Sequence, residues 1–153
     1  MAVEADWLDI LETADYKWDR REPPASEDAL AALAQFAGRD LPDDYIAFLR
    51  RQNGGALSYR DTWYFHFWRA EDIPSWSAGY GFTPDEIPGT LVFGDDGADE
   101  ALVMDLREER SDRRYPIYAI NYYSVEWKLA VPVAPNFRSL LQLGHSLLSS
   151  DDE

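Results

Sequence analysis

The chain has 153 residues, 46% apolar and 14% aromatic, a composition that argues for a packed core and excludes a disordered chain. Its 29 acidic against 14 basic residues leave a formal charge of −15, a field that repels phosphate backbones and disfavours direct nucleic-acid binding. Without cysteine there is no disulfide framework and no thiolate chemistry.

The same field favours encounter with a basic partner, although an acidic surface also serves plain solubility. The length suits one domain over residues 1–153, able to bury about two-thirds of its unfolded surface. No apolar run approaches the roughly 20 residues of a transmembrane helix. The first residues, MAVEADW, lack the basic-then-apolar order of a signal peptide. The expectation is a soluble cytoplasmic monomer with no membrane contact.

Residues 4–13 carry Trp7, Leu8 and Leu11 at i, i+1, i+4, which predicts a short amphipathic helix. Residues 16–25 read as a connector, because Pro23 and Pro24 break regular structure. Ser26 is an N-cap with Glu27 and Asp28 in the first turn; Leu30, Leu33, Ala34 and Ala37 form one face, and Gly38 closes the helix.

Residues 41–55, LPDDYIAFLRRQNGG, form the most consistent stretch. Pro42 suits a first helical position, and Asp43, Asp44 at one end with Arg50, Arg51 at the other suit the helix dipole. Tyr45, Phe48 and Leu49 make one apolar stripe. Asn53, Gly54 and Gly55 are expected to stop the helix, since both residue types tolerate a left-handed C-cap. The short link from Gly38 makes the two helices spatial neighbours.

Residues 63–69, WYFHFWR, are strand-like by aromatic density. Residues 70–89, with three prolines, read as an irregular excursion whose Trp76, Tyr80 and Phe82 either pack beneath a sheet or form a contact surface. Residues 90–94 and 101–106 are two strands around the acidic loop 95–100, DDGADE, and residues 115–120 a third, with Pro116 near its start. Residues 125–131 alternate, with Val125, Trp127, Leu129 and Val131 on one buried face. Asn136 caps a last helix in which Phe137, Leu140, Leu141 and Leu148 share a face with Gly144, before an acidic tail at 149–153. Helices, then strands, then a helix indicate α+β: a single antiparallel sheet of about four to six strands with helices packed on it.

Little in the chain carries catalytic chemistry. The two histidines, His66 and His145, accompany no nucleophile elbow, so a small hydrolase is the weakest reading. The loop 95–100 lacks the alternating ligands and distant bidentate Glu of a calcium loop and reads as a turn. Acid around Gly97 equally opposes phosphate cradling, and no metal or cofactor is implied.

The surplus of large aromatics is more telling. Trp63, Tyr64, Trp68, Trp76, Tyr80, Tyr122, Tyr123 and Trp127 exceed what one small core normally absorbs, and interfaces favour Trp and Tyr as anchors. Trp127, Phe65 and Phe67 read as core; the adjacent Tyr122 and Tyr123 cannot both point inward on a strand. With Asp95, Asp96, Asp99 and Glu100 the others describe a surface able to dock on a basic protein.

The run at 41–55 resembles the signature of the SUKH superfamily, which includes a yeast cell-wall-assembly regulator and many bacterial immunity proteins. The resemblance extends over about residues 22–148. It takes in the helix at 26–37, the WRAEDI segment at 68–73, PGTLVFGDDG at 88–97, ALVMDL at 101–106 and the closing helix. The excursion at 70–89 does not align, and Asp99-Glu100 stand where glycine is commoner. The resemblance implies a non-enzymatic binding scaffold, in bacteria mostly an immunity protein that neutralises a toxin, often a nuclease. A regulatory scaffold without a toxin is the alternative. It assigns Leu41, Pro42, Tyr45, Phe48, Leu49, Asn53, Gly54, Gly55, Gly94 and Gly97 to the fold rather than to binding.

Overall fold

The computed structural model describes residues 2–60 and 63–142. The part of the last helix beyond Gln142, with Gly144, His145 and Leu148, and the tail at 149–153 lie outside the described residues. The framework is one antiparallel sheet of seven strands, β1 (Tyr16–Arg21), β2 (Gly55–Tyr59), β3 (Trp63–Phe67), β4 (Thr90–Asp95), β5 (Glu100–Asp105), β6 (Ile117–Asn121) and β7 (Val131–Ala134), each hydrogen-bonded to the next in chain order. Around it lie α1 (Glu27–Ala37), α2 (Asp43–Arg51), α3 (Ile73–Tyr80) and α4 (Phe137–Leu141), with a 3-10 helix at Ala2–Glu12. The α+β class holds, with one strand more than the expected upper count.

The helices before the sheet form where their caps predict. Ser26 Oγ accepts the Ala29 N–H at 3.1 Å, and Gly38 ends α1 in the left-handed conformation. Arg50 of α2 meets Glu27 of α1 at 2.8 Å, as a short link between the helices requires. Pro42 is the N-cap of α2, with extended backbone, rather than its first helical residue.

The end of α2 departs from the expected left-handed cap: Gln52 is extended at φ −161°, and the glycines serve the sheet instead. A Cβ on Gly54 would lie 2.5 Å from the Phe67 carbonyl, and one on Gly55 would collide with the Arg20 carbonyl. Asn53 is buried because it ties three segments together. Its N–H donates to Pro23 O at 2.8 Å, its Nδ2 to Glu71 at 2.6 Å, and its Oδ1 accepts from Ala70 N at 2.8 Å.

Residues 16–21 are an edge strand, not a connector. Tyr16 and Trp18 face inward opposite Tyr59 and Leu57, while Lys17, Arg20 and Arg21 give the edge the charge that keeps such strands unpaired. The prolines that suggested a break fall after it. At the other end, the buried strand expected over 125–131 is a 3-10 turn at Trp127–Leu129 followed by β7. Trp127 Nε1 donates to Pro88 O at 2.7 Å and its ring lies 4.0 Å from the Arg107 guanidinium, which turns the chain out of line. Leu129 and Val131 are consequently about half exposed.

Phe65 and Phe67 point to the side covered by α2 and α4, where Phe67 meets Phe48 at 5.2 Å and Phe137 at 5.9 Å. Tyr45 and Phe93 join the same ring cluster. Alternation sends Tyr64 and His66 to the opposite side. The segment expected to be irregular at 70–89 folds over that side as α3 and its flanks, burying Ile73, Phe82 and Ile87. Thr90 Oγ1 fastens its far end, donating to the Phe82 and Ile87 carbonyls.

Candidate interaction surface

Three elements bring most of the singled-out residues together on the face away from α2 and α4. Strand β3 supplies Tyr64 and His66, α3 supplies Trp76 and Tyr80, and the β4–β5 hairpin with the turn after β6 supplies the acids, Tyr122 and Tyr123. The rings form a chain: His66 to Trp76 at 6.0 Å, Trp76 to Trp68 at 5.1 Å, Trp68 to Tyr80 at 6.1 Å, and Tyr80 to Tyr122 at 4.5 Å. Tyr80 is 51% exposed and Tyr123 84%, whereas Tyr122 is half-buried against Phe82, so the two adjacent tyrosines divide as alternation demands.

Two members of the expected contact set do not belong to that surface. Trp68 is 1% exposed, held by its indole N–H on Asp95 Oδ2 at 2.8 Å and by the rings of Trp76 and Tyr80. It supports the surface from below and offers nothing to a partner. Trp63 lies on the helix side of the sheet, stacked 4.4 Å from Phe65 and 5.7 Å from Tyr59.

The four acids also divide. Asp95 Oδ1 accepts the Gly97 N–H at 2.8 Å, while its Oδ2 takes Trp68 Nε1 and lies 3.3 Å from His66 Nδ1. Burial alone would raise this carboxyl, but donation from His66, Trp68 and Gly97 outweighs burial and holds it below the usual aspartate range. Asp96 Oδ1 accepts from Ala98 N and Glu100 N, closing the hairpin tip. Asp95 and Asp96 are therefore the hairpin's own hydrogen-bond acceptors. Asp99 and Glu100 form no ion pair among the described residues. Gly97, at φ +81°, presents bare backbone to the Tyr64 ring; a Cβ there would sit 2.7 Å from it. Gly94 likewise abuts the His66 carbonyl.

Tyr122 is buried beside Asp95 and Tyr80, and burial first, then those neighbours, push its hydroxyl pKa well up, so it stays neutral. His66 superficially resembles half of a catalytic relay, since Nδ1 faces Asp95. Its Nε2, however, lies 2.8 Å from Arg20 Nη2, a group that only donates, so the nitrogen a general base would use is occupied. Sequence reasoning misses Arg20 here, because its contact with His66 spans a 46-residue separation. It also misses α3, although Pro74 behind the acids Glu71 and Asp72 is a recognisable helix start. Among the described residues no group of three or more His, Asp or Glu side chains is placed to hold a metal ion. None of their helices is long and apolar enough to cross a membrane.

The architecture is an antiparallel meander with α2 and α4 on one side and an aromatic, acid-rimmed face built around α3 on the other. The model of the SMI1/KNR4 family (SUKH-1) matches residues 24–143, and the chain belongs to that family. A search of curated proteins finds no match.

Proposed function

We propose that this protein is an immunity protein: it binds a cognate toxin, of basic and nuclease type, and blocks it without catalysis. The observation that carries this reading is the placing of exposed Tyr80 and Tyr123 on the same face as Asp99 and Glu100, which form no ion pair among the described residues, on a family scaffold. Aromatic rings with few rotatable bonds supply anchor area, and carboxylates that satisfy no internal partner lose nothing internal when a cationic surface replaces their water. The family membership supports the neutralising role, and the occupied Nε2 of His66 supports the absence of turnover. The chain acts as a monomer, and its whole length serves as one domain.

The test is co-expression of this chain with the product of the adjacent gene. Protection of the host cells and a complex that survives size-exclusion chromatography are expected. Combined Asp99→Lys and Glu100→Lys should slow association at least tenfold, and Tyr80→Ala with Tyr123→Ala should speed dissociation. A stable complex untouched by all four changes would place the interface elsewhere. Co-purification with a housekeeping protein and no protection would replace immunity by regulation.

A further inference from the structure

A second site lies among the helices on the other side of the sheet. A cleft of about 760 Å³ opens between the N-terminal 3-10 helix, the start of α2 and the loop before β6, and four arginines line it: Arg50, Arg113, Arg114 and Arg138. On a chain of formal charge −15 that concentration of guanidinium is anomalous.

Asp43, Asp44 and Asp112 also line the cleft, so what it offers an anion depends on which guanidiniums they engage. Asp44 spends both oxygens on backbone, Oδ1 on Tyr45 N at 2.8 Å and Oδ2 on Arg138 N at 2.9 Å. Asp112 accepts the Arg114 N–H at 3.0 Å, and Asp43 pairs with Arg113 at 3.6 Å. Arg50 is held by Glu27. Among the described residues, the guanidiniums of Arg114 and Arg138 form no salt bridge; Arg114's charge acts on the Asp44 carboxyl, and Arg138 reaches Asp44 only through its backbone N–H. Arg138 lies over the Trp7 ring at 5.4 Å, leaving a cation beside a partly open aromatic. Arg113 adds a second kind of observation: it holds φ +53°, a left-handed conformation that a long side chain avoids, and its fork spans Asp40 and Asp43 at the cleft's edge. Strain of this kind concentrates at binding sites.

We propose that this cleft binds a small phosphorylated ligand of mononucleotide size, its phosphate gripped by Arg114 and Arg138 and its ring laid against Trp7. Guanidinium forks match phosphate oxygens in pairs, and the volume falls within the range of small-molecule sites, about 300–1,000 Å³. A compact dianion needs only the two free forks. A phosphate can sit between two forks, whereas an extended acidic peptide would reach beyond them to Asp43 and Asp112. The site shares no residue with the toxin-binding surface proposed above, so either proposal can fail alone.

Titration calorimetry of the full chain at low salt with ADP and with pyrophosphate decides it. Wild type should bind both, ADP the tighter, and both weaken as salt rises. Arg114→Ala, on an exposed loop, should weaken ADP at least tenfold, as should Arg138→Ala, while Arg107→Ala, stacked on Trp127 elsewhere, should leave it unchanged. If Arg138→Ala unfolds, the loss of affinity in Arg114→Ala is sufficient by itself. No heat with either probe at millimolar concentration, or equal binding by Arg114→Ala, overturns the site. Pyrophosphate as tight as ADP overturns the ring contact, and a polyglutamate peptide binding tighter than ADP overturns the ligand class.

Discussion

Neighbouring residues at the start of α2 show how burial alone decides chemistry. Tyr45 is fully enclosed by rings, and its hydroxyl has no hydrogen-bond partner among the described residues; burial drives that hydroxyl's pKa far up. An unpaired buried donor costs about 1–3 kcal/mol, so Tyr45→Phe should be neutral or should stabilise by about 1 kcal/mol in urea denaturation. Phe48→Ala in the same cluster should cost about 3–5 kcal/mol, leaving a cavity that the sheet cannot close. A loss of stability in Tyr45→Phe would mean that the hydroxyl has a partner beyond the described residues.

Asp44 and Asp95 carry opposite pH signatures. At Asp44 burial prevails over donation from Arg138 N and Tyr45 N, so the folded carboxyl titrates above its unfolded value. At Asp95 the donors prevail, so it titrates below. The stability Asp95 contributes is therefore present above the unfolded pKa of about 4 and disappears as pH falls through the folded value. For Asp44 the penalty is absent in acid and develops as pH rises through the folded value. Denaturation midpoints from pH 7 to 3 should show Asp95→Asn converging on wild type in acid. Asp44→Asn should gain relative to wild type as pH rises. Parallel curves for both variants would show that neither carboxyl is perturbed.

At the level of elements, legibility follows the range of the forces involved. The helices α1 and α2 are readable because a cap, a dipole and an apolar stripe act within a few residues, and the hairpin of β4 and β5 because its turn residues do. What stays hidden depends on distant partners. The strand at 16–21 is a strand because Tyr16 and Trp18 meet Tyr59 and Leu57. Trp127 leaves the sheet because Pro88 and Arg107 hold it. Of the proposed contact residues, adjacency alone shows that Tyr122 and Tyr123 cannot both be buried, whereas the exposure of Tyr80 and the burial of Trp68 depend on how α3 folds back over the sheet.

The corner after α2 is the sharpest instance, since its residues stand out in the sequence for a reason other than the one that holds them. Asn53 is a clamp between segments, not a helix cap, and a clamp has a different mutational signature. Asn53→Ala strands the Ala70 N–H and releases Glu71, so it should cost about 1–3 kcal/mol, whereas a lost cap contact costs about 1 at an exposed end. Hydrogen exchange should show faster opening at 68–73 than within α2. Faster exchange confined to α2 would restore the capping interpretation.

The whole molecule is governed by its charge. At −15 every cationic surface is drawn in over a range set by the Debye length, about 10 Å at 0.1 M salt and about 3 Å at 1 M. Steering of this kind acts on the association rate, because the field orients partners before any contact forms, while the ring anchors act on the dissociation rate. For the toxin complex proposed here, association should fall by at least tenfold between 50 mM and 500 mM salt, with dissociation nearly constant. Asp99→Lys with Glu100→Lys should flatten that slope without abolishing it, since those carboxylates are a minority of the 29 acids. Tyr123→Ala should leave the slope alone and shorten the lifetime of the complex. Stopped-flow association with surface-plasmon dissociation separates the two; a salt-independent association rate would mean that the acid serves solubility alone and that recognition rests on the rings.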